Sequence, residues 1–397
     1  MGCFCESKPK KSQVLTSLHF TRKMSNIYFH YPFCKQACHY CNFHFSTSKN
    51  GQKSLWDAMN KELLLRKDEM KVPIESIYFG GGSPSLISPK KIEKSIDYIH
   101  DNFIINSPLE VTLEVNPDDV SLQYLDALKQ AGINRLSLGI QSFHQKDLTV
   151  MNRAHNNIQA LSAIKYVAQK FSNFTLDLIY GMPNSTLKEW KENLNRALEF
   201  DPPHLSVYAL TVEEKTALDF QVKKGEVTLI SEEAVKKQYD FLTTKMRSLK
   251  YINYEFSNFG KKGYFSVNNQ NYWNGKSYIG IGPSAHSYDG FTSRSWNVSN
   301  NKKYVDAIKK NTPLVEVEHL TTKDRYNEYV MTGLRKVEGL SLGYVKKTFG
   351  SSYLTYLESQ VERHLEARNF YWDGDYLKIT PKAKFLSDGL ASDLFRI

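Results

Sequence analysis

Residues 28–43 read YFHYPFCKQACHYCNF, in which an apolar, aromatic stretch from Ile27 to Phe33 runs straight into Cys34, Cys38 and Cys41. The stretch reads as a buried strand feeding a loop, so the three thiols sit at its carboxyl end. The chain has five cysteines, the other two being Cys3 and Cys5, and none follows Cys41. Three thiolates suit a four-iron cluster with one iron left open for a ligand, much as a catalytic zinc keeps one position free. Cys34, Cys38, Cys41 and His44 also spell C-x3-C-x2-C-x2-H, which can close a zinc tetrahedron, and the cysteine run alone weighs the two alike. The buried strand ahead of the loop, with Tyr28, Tyr31 and Tyr40 around the thiols, favours the cluster over a small polar zinc knuckle.

From Asn26 to Leu210, β-branched or aromatic runs alternate with amphipathic stretches, the rhythm of βα units. Strands are predicted over 26–31, 75–80, 109–115, 134–140, 173–180 and 204–210, with helices including 53–70, 89–103, 121–131, 157–170 and 187–199 between them. The expected fold is α/β, an open parallel sheet or a partial (βα)6 barrel, with right-handed crossovers placing every helix on the outside. The chemically unusual residues fall at the same end of each strand, where parallel barrels bind ligands. They are the cysteines, the turn Gly80-Gly81-Gly82-Ser83-Pro84, Glu114 in LEVNP, Gln141 in SLGIQSF, Arg153 in MNRAH and Asp177 in LDLIYGMP. Glycines without Cβ let backbone N–H groups approach a ligand closely. Glu114 and Asp177 interrupt apolar strands and need a partner or a ligand; Arg153 is the expected partner in a purely structural network.

With 397 residues, 41% hydrophobic content and no apolar run near ~18 residues, the chain reads as a soluble globular protein without a membrane span. Clustered free thiols and an amino terminus without a secretory signal predict a cytoplasmic location. The net charge is +10, of which residues 1–23 supply +4 through Lys8, Lys10, Lys11, Arg22 and Lys23 against Glu6. The remainder is mildly basic. It permits contact with a membrane surface, although scattered surface lysine is the simpler explanation, and no nucleic-acid partner is expected. Residues 1–23 read as a flexible tail or an overextended start, and Cys3 and Cys5 receive no role.

The working division is a core over 24–310 and a small, mostly helical C-terminal domain over 311–397. The latter is expected to contain helices at 323–336, 341–348 and 353–367, a hairpin around Asp373-Gly374 and a helix from Lys382. That order suits a winged-helix module. Asp324, Glu328, Glu358, Glu362 and Glu366 dilute any basic recognition surface, so domain packing is favoured over DNA binding.

Several motifs in order, YFHYPFCKQACHYCNF, YFGGGSPSL, LEVNPD, INRLSLGIQSF, DLIYGMP, YEFSNF and YIGIGPSAHSYDG, resemble radical S-adenosylmethionine (SAM) proteins of the oxygen-independent coproporphyrinogen oxidase-like group, specifically its HemW-type heme-chaperone branch. The resemblance covers residues 24 to about 390. It implies a [4Fe–4S] cluster on Cys34, Cys38 and Cys41, and a SAM pocket formed by Tyr28, Tyr40, Gly81, Gly82, Ser83, Glu114, Gln141, Arg153 and Asp177. It further implies heme as cargo, passed to apo-hemoproteins of a respiratory chain. Ser83 stands where the family usually has threonine and keeps the hydroxyl. Dehydrogenases of the group carry a further cysteine two places beyond the third; Phe43 holds that position here and points to the chaperone branch. The alternative, a radical-SAM oxidoreductase acting on a porphyrin-like substrate, rests on the same architecture. Chaperones commonly show HNxxYW with a heme-engaging histidine, whereas residues 268–273 read NNQNYW. Asn268 is a poor iron ligand. His286 is a candidate substitute, although a structural histidine is the simpler reading, and Tyr272 and Trp273 can stack on a porphyrin or fill the core.

Overall fold

The computed structural model describes residues 25–397; the expectations for residues 1–23, Cys3 and Cys5 lie outside them. Strands β1 (Asn26–Tyr31), β2 (Ile74–Gly81), β3 (Ile105–Val115), β4 (Arg135–Gln141), β5 (Phe174–Tyr180) and β6 (His204–Ala209) lie side by side in chain order, all parallel. Alternate residues of these strands, among them Phe29, Phe79, Leu113, Leu138, Leu178 and Leu205, are fully buried and share one core with the helices that connect the strands. The intervening residues make a second, polar face containing Tyr28, His30, Tyr78, Glu114, Ser137, Asp177 and Ser206. Parallel sheets normally bury apolar residues on both faces, so a polar inner face marks a chamber.

Past β6, strands β7 (Ile252–Asn253) and β8 (Asn258–Gly260) extend the sheet antiparallel, and at the other edge β9 (Ile279–Ile281) lies parallel to β1. The nine strands form an open barrel whose edges are β7 and β9. A smaller antiparallel sheet follows, with β10 (His286–Tyr288), β11 (Ser293–Asn297) and β12 (Val315–His319) in that order. The short strands β7 to β12 were not expected from the sequence. Two to five residues carry too little periodicity, and β8 and β9 also depend on partners far away in the chain, β6 and β1.

The rim segment after β9 is anchored to the first helix, Gln52–Leu65, through the fully buried Glu62. Its carboxylate accepts from the Gly282 N–H (2.9 Å), Asn297 Nδ2 (2.8 Å), the Tyr304 hydroxyl (2.6 Å) and Arg66 Nη1 (3.1 Å). The helix expected to reach residue 70 therefore stops at Leu65, because Arg66 turns inward to Glu62, Glu69 and the Gly280 carbonyl.

A second core unites Tyr326, Val330, Leu334, Leu357, Val361, Leu377 and Leu394. Helices Thr322–Arg335, Leu342–Phe349 and Ser351–Glu366 surround a three-stranded sheet of β13 (Leu340–Ser341), β14 (Phe370–Asp373) and β15 (Tyr376–Ile379). The last helix begins at Ser387 rather than Lys382, since Pro381 lies within a turn closed by the Ala383 N–H on the Thr380 carbonyl. Among the described residues no helix is long and apolar enough to cross a membrane.

Candidate functional site

The three cysteines occupy the loop that leaves the carboxyl end of β1. The Cys34 N–H donates to the Ser46 carbonyl (3.0 Å) and the Ser46 N–H to Pro32 (2.7 Å), which pins the loop's base. Asn152, at φ 53°, holds the middle of the loop by donating Nδ2 to the Ala37 carbonyl (2.7 Å) and accepting from Gln36 Nε2 (2.6 Å). Asparagine is among the few residues that tolerate this left-handed backbone. The glycine-rich turn closes over the same loop, its Gly82 and Ser83 N–H groups donating to the Tyr31 (2.8 Å) and Phe33 (2.7 Å) carbonyls. A Cβ on Gly82 would stand 2.9 Å from Cys34 Sγ, and Gly81 sits at φ 109°, so both positions require glycine.

Asn116 and Arg153 join the remaining parts. Asn116 donates to Ser83 Oγ (2.9 Å) and accepts from Arg153 Nη2 (2.7 Å). Arg153 also donates to the Gly139 carbonyl (3.0 Å), Cys38 Sγ (3.4 Å) and the Tyr40 hydroxyl (3.4 Å), while its buried Nε has no partner. Tyr40 lies against Leu148, Met151, Ile179 and Met182. Gln141 ends β4 at φ 64°, beyond a register shift that turns its amide toward Gly139 and Arg153. Strained backbone of this kind gathers at ligand sites.

Deeper in the chamber, Glu114 accepts from the Tyr78 hydroxyl (2.9 Å) and the Gly81 N–H (3.2 Å), and Asp177 accepts from Ser137 Oγ (2.9 Å). Tyr28 stacks on Tyr78 and meets His30 Nδ1 through its hydroxyl (3.2 Å). The purely structural alternative, pairing of both carboxylates with Arg153, does not occur. Arg153 is drawn instead to Asn116, Gly139 and the cysteine loop, and neither carboxylate forms an ion pair with a described residue. Burial pushes Glu114 up to about 7 and Asp177 up to about 6. Two buried carboxylates that form no ion pair with a described residue make a site for a cationic ligand, although Arg135 and Arg153 already act on Asp177 from a distance.

His44 does not complete a Cys3His set, because its Nε2 lies 2.7 Å from Asn301 Oδ1 and its carbonyl meets His30 Nε2 at 3.1 Å. Among the described residues no three His, Cys, Asp or Glu side chains converge on a single-ion site. The donor set offered at the rim is three thiols beside a guanidinium, which suits a thiolate-bound cluster. Burial raises Cys34 to about 11, so loading iron would displace thiol protons.

Every residue expected in the cluster and SAM pocket thus lies on one rim or in the chamber beneath it. Asn116 and Asn152 were missed, although each adjoins a motif residue, in LEVNP and MNRAH. Asn268 lies elsewhere. Its helix, Val267–Trp273, sits under the opposite end of the barrel, where Asn271 donates to Asn26 and Glu75 (2.7 and 2.9 Å) and Glu110 accepts from the Val267 and Asn268 N–H groups (2.9 and 3.1 Å). His286 stacks on the Trp296 indole.

Family comparisons agree with this geometry. The radical SAM superfamily model matches residues 28–197 and the HemN C-terminal domain model residues 320–386. The chain is 36% identical to the heme chaperone HemW of Bacillus subtilis over 83% of its own length and 87% of the relative's. It is 30% identical to the HemW of Lactococcus lactis over 91% and 94%. Its fold matches Escherichia coli coproporphyrinogen III oxidase (HemN), described as a radical SAM enzyme, with a TM-score of 0.80 at 20% identity over 95% of this chain and 91% of that one. With its cysteine loop, chamber and C-terminal unit all accounted for by relatives of nearly full length, the chain belongs to the HemW heme-chaperone family of the radical SAM superfamily.

Proposed function

We propose that the protein is a heme chaperone of the cytoplasm, binding heme and passing it to apo-hemoproteins of a respiratory chain. The observation that carries this reading is the near full-length similarity to HemW proteins, with Phe43 standing where the dehydrogenases have a further cysteine. In this reading Cys34, Cys38 and Cys41 hold a [4Fe–4S] cluster, which when loaded can supply one electron to the SAM sulfonium. Gly81, Gly82 and Ser83 present backbone and hydroxyl groups to SAM, Arg153 takes its carboxylate, and Glu114 and Asp177 take its amino group and ribose hydroxyls. Tyr28, Tyr40 and Gln141 line the rest of the pocket. The proposed division into a core over 24–310 and a C-terminal unit over 311–397 is supported by two separate hydrophobic cores among the described residues, although β12 pairs with β11 across it.

A pH dependence follows. Both carboxylates are held above their ordinary range, so each binds its proton more tightly folded than unfolded, and the ligand-free protein loses stability as pH rises through the window up to about 7. A cationic ligand favours the ionised forms. SAM affinity should therefore rise several-fold between about pH 5 and about pH 8 and level off above Glu114's value, as measured by equilibrium dialysis. Flat affinity across that range would remove the two carboxylates from the SAM pocket.

The function itself is tested by loading the anaerobically reconstituted protein with hemin and adding an apo-cytochrome, in the presence of SAM and dithionite. Heme should move to the acceptor chemically unchanged. Stoichiometric 5′-deoxyadenosine together with a decarboxylated porphyrin would instead establish the oxidoreductase.

A further inference from the structure

Arg153 Nε, His155 Nδ1 and Asp118 Oδ1 are buried polar atoms with no hydrogen-bond partner among the described residues. Buried polar atoms are rarely left bare, so three in neighbouring residues call for one explanation. His155 lies two residues beyond Arg153 and just ahead of the helix Asn157–Lys170, which packs on the turn Pro117–Asp119 that carries Asp118. Arg153 and Asp118 are also the charged side chains whose fields act on the His155 ring, the first lowering and the second raising its proton affinity.

The three atoms have complementary capacities. His155 is 2% exposed, and burial together with Arg153 brings its ring down to about 4, so it is neutral at pH 7. Its Nε2 lies 3.1 Å from the Ile140 carbonyl, which can only accept. Nε2 therefore carries the ring proton, and Nδ1 is a bare acceptor. Asp118 Oδ1 is a second acceptor, since Oδ2 already takes Lys35 Nζ (2.8 Å). The Arg153 Nε–H is a donor. Two acceptors cannot bond each other, but a water gives one O–H to each and accepts from Nε. About three hydrogen bonds is the usual number for a buried water.

We infer that His155 and Asp118 are positioning residues for Arg153: through one buried water they hold its Nε, which keeps the guanidinium at the rim with its outer nitrogens aimed at the cysteine loop and the SAM carboxylate. The inference rests on the reading of Arg153 as the cation for that carboxylate, and goes further by naming what fixes its orientation. The anchor is needed because the field of Arg153 already reaches Asp177. A guanidinium released at Nε has that carboxylate to move to, so SAM would lose its cation and Asp177 its freedom to bind the ligand. Lys35, which stands beside Cys34 and pairs with both Asp118 and Asp119, ties the same arrangement to the cysteine loop.

The test is equilibrium dialysis of SAM and of decarboxylated SAM against the anaerobically reconstituted full-length protein. His155→Gln offers an amide N–H to the Ile140 carbonyl and no acceptor at the Nδ1 position; His155→Asn does the reverse. His155→Gln should bind SAM about tenfold more weakly, the loss expected when one hydrogen bond to a charged group is removed, with its iron content unchanged. His155→Asn should bind SAM as the unmodified protein does. Decarboxylated SAM, which lacks the group that Arg153 takes, should bind equally to the unmodified protein and to His155→Gln. The opposite ranking of the two variants would show that His155 serves only Ile140, and an equal loss for both ligands would show a general loosening of the pocket; either overturns the inference and leaves the role of Arg153 standing. If the unmodified protein does not prefer SAM to decarboxylated SAM, the role of Arg153 falls and the inference with it. A crystal structure of the unmodified protein checks the geometry without any variant: one ordered water should lie within hydrogen-bonding distance of Arg153 Nε, His155 Nδ1 and Asp118 Oδ1, and density without it would overturn the inference.

Discussion

Cys34→Ala/Cys38→Ala/Cys41→Ala will hold no iron after anaerobic reconstitution, whereas the unmodified protein will hold about four iron and four acid-labile sulfide per chain and show the brown charge-transfer absorbance of a cluster. The expectation is all-or-none because these three thiols share one loop, and no other described cysteine can substitute. Cys38→Ala alone should suffice. It removes one of three ligands and also the sulfur on which Arg153 Nη1 rests at 3.4 Å. A single zinc without sulfide would return the loop to the Cys3His reading, and His44 would then have to leave Asn301.

The second large effect is on stability. Glu62→Ala leaves Arg66 with Glu69 as its remaining carboxylate and removes the acceptor shared by Gly282, Asn297 and Tyr304. Leaving a buried donor without its acceptor costs about 1–3 kcal/mol, and three donors are affected here. For a unit of this size the melting temperature should fall by about 5 °C. Glu62→Gln keeps an oxygen for the Gly282 N–H and should lose less. Thermal denaturation followed by circular dichroism decides the matter; a change under ~1 kcal/mol in the alanine variant would show that the rim segment is held by other contacts.

How far these features could be read in the sequence depends on how local their causes are. The six parallel strands lie within a few residues of their expected positions, because each is a run whose apolar alternation is complete within itself, as in Ile77 and Phe79 of β2. The rim was legible for the same reason, since glycines, cysteines and carboxylates stand out against apolar strands. What escaped depends on distant partners. β9 is three residues long and exists because β1 offers it an edge. A structural pairing of Arg153 with Glu114 and Asp177 was the alternative to a ligand pocket, yet the chain brings Asn116 and the cysteine loop nearer to it. The end of the first helix was set by Arg66 reaching a carbonyl 214 residues away in the chain.

The helix beginning at Val267 attaches to the first residues of β1 and β2, while the cysteines leave β1 at its other end. Six residues of strand separate the two poles by about 20 Å. Groups at the two ends of β1 are thus coupled only through the strand and its neighbours, so each end can be disabled by substitution while the other is left intact.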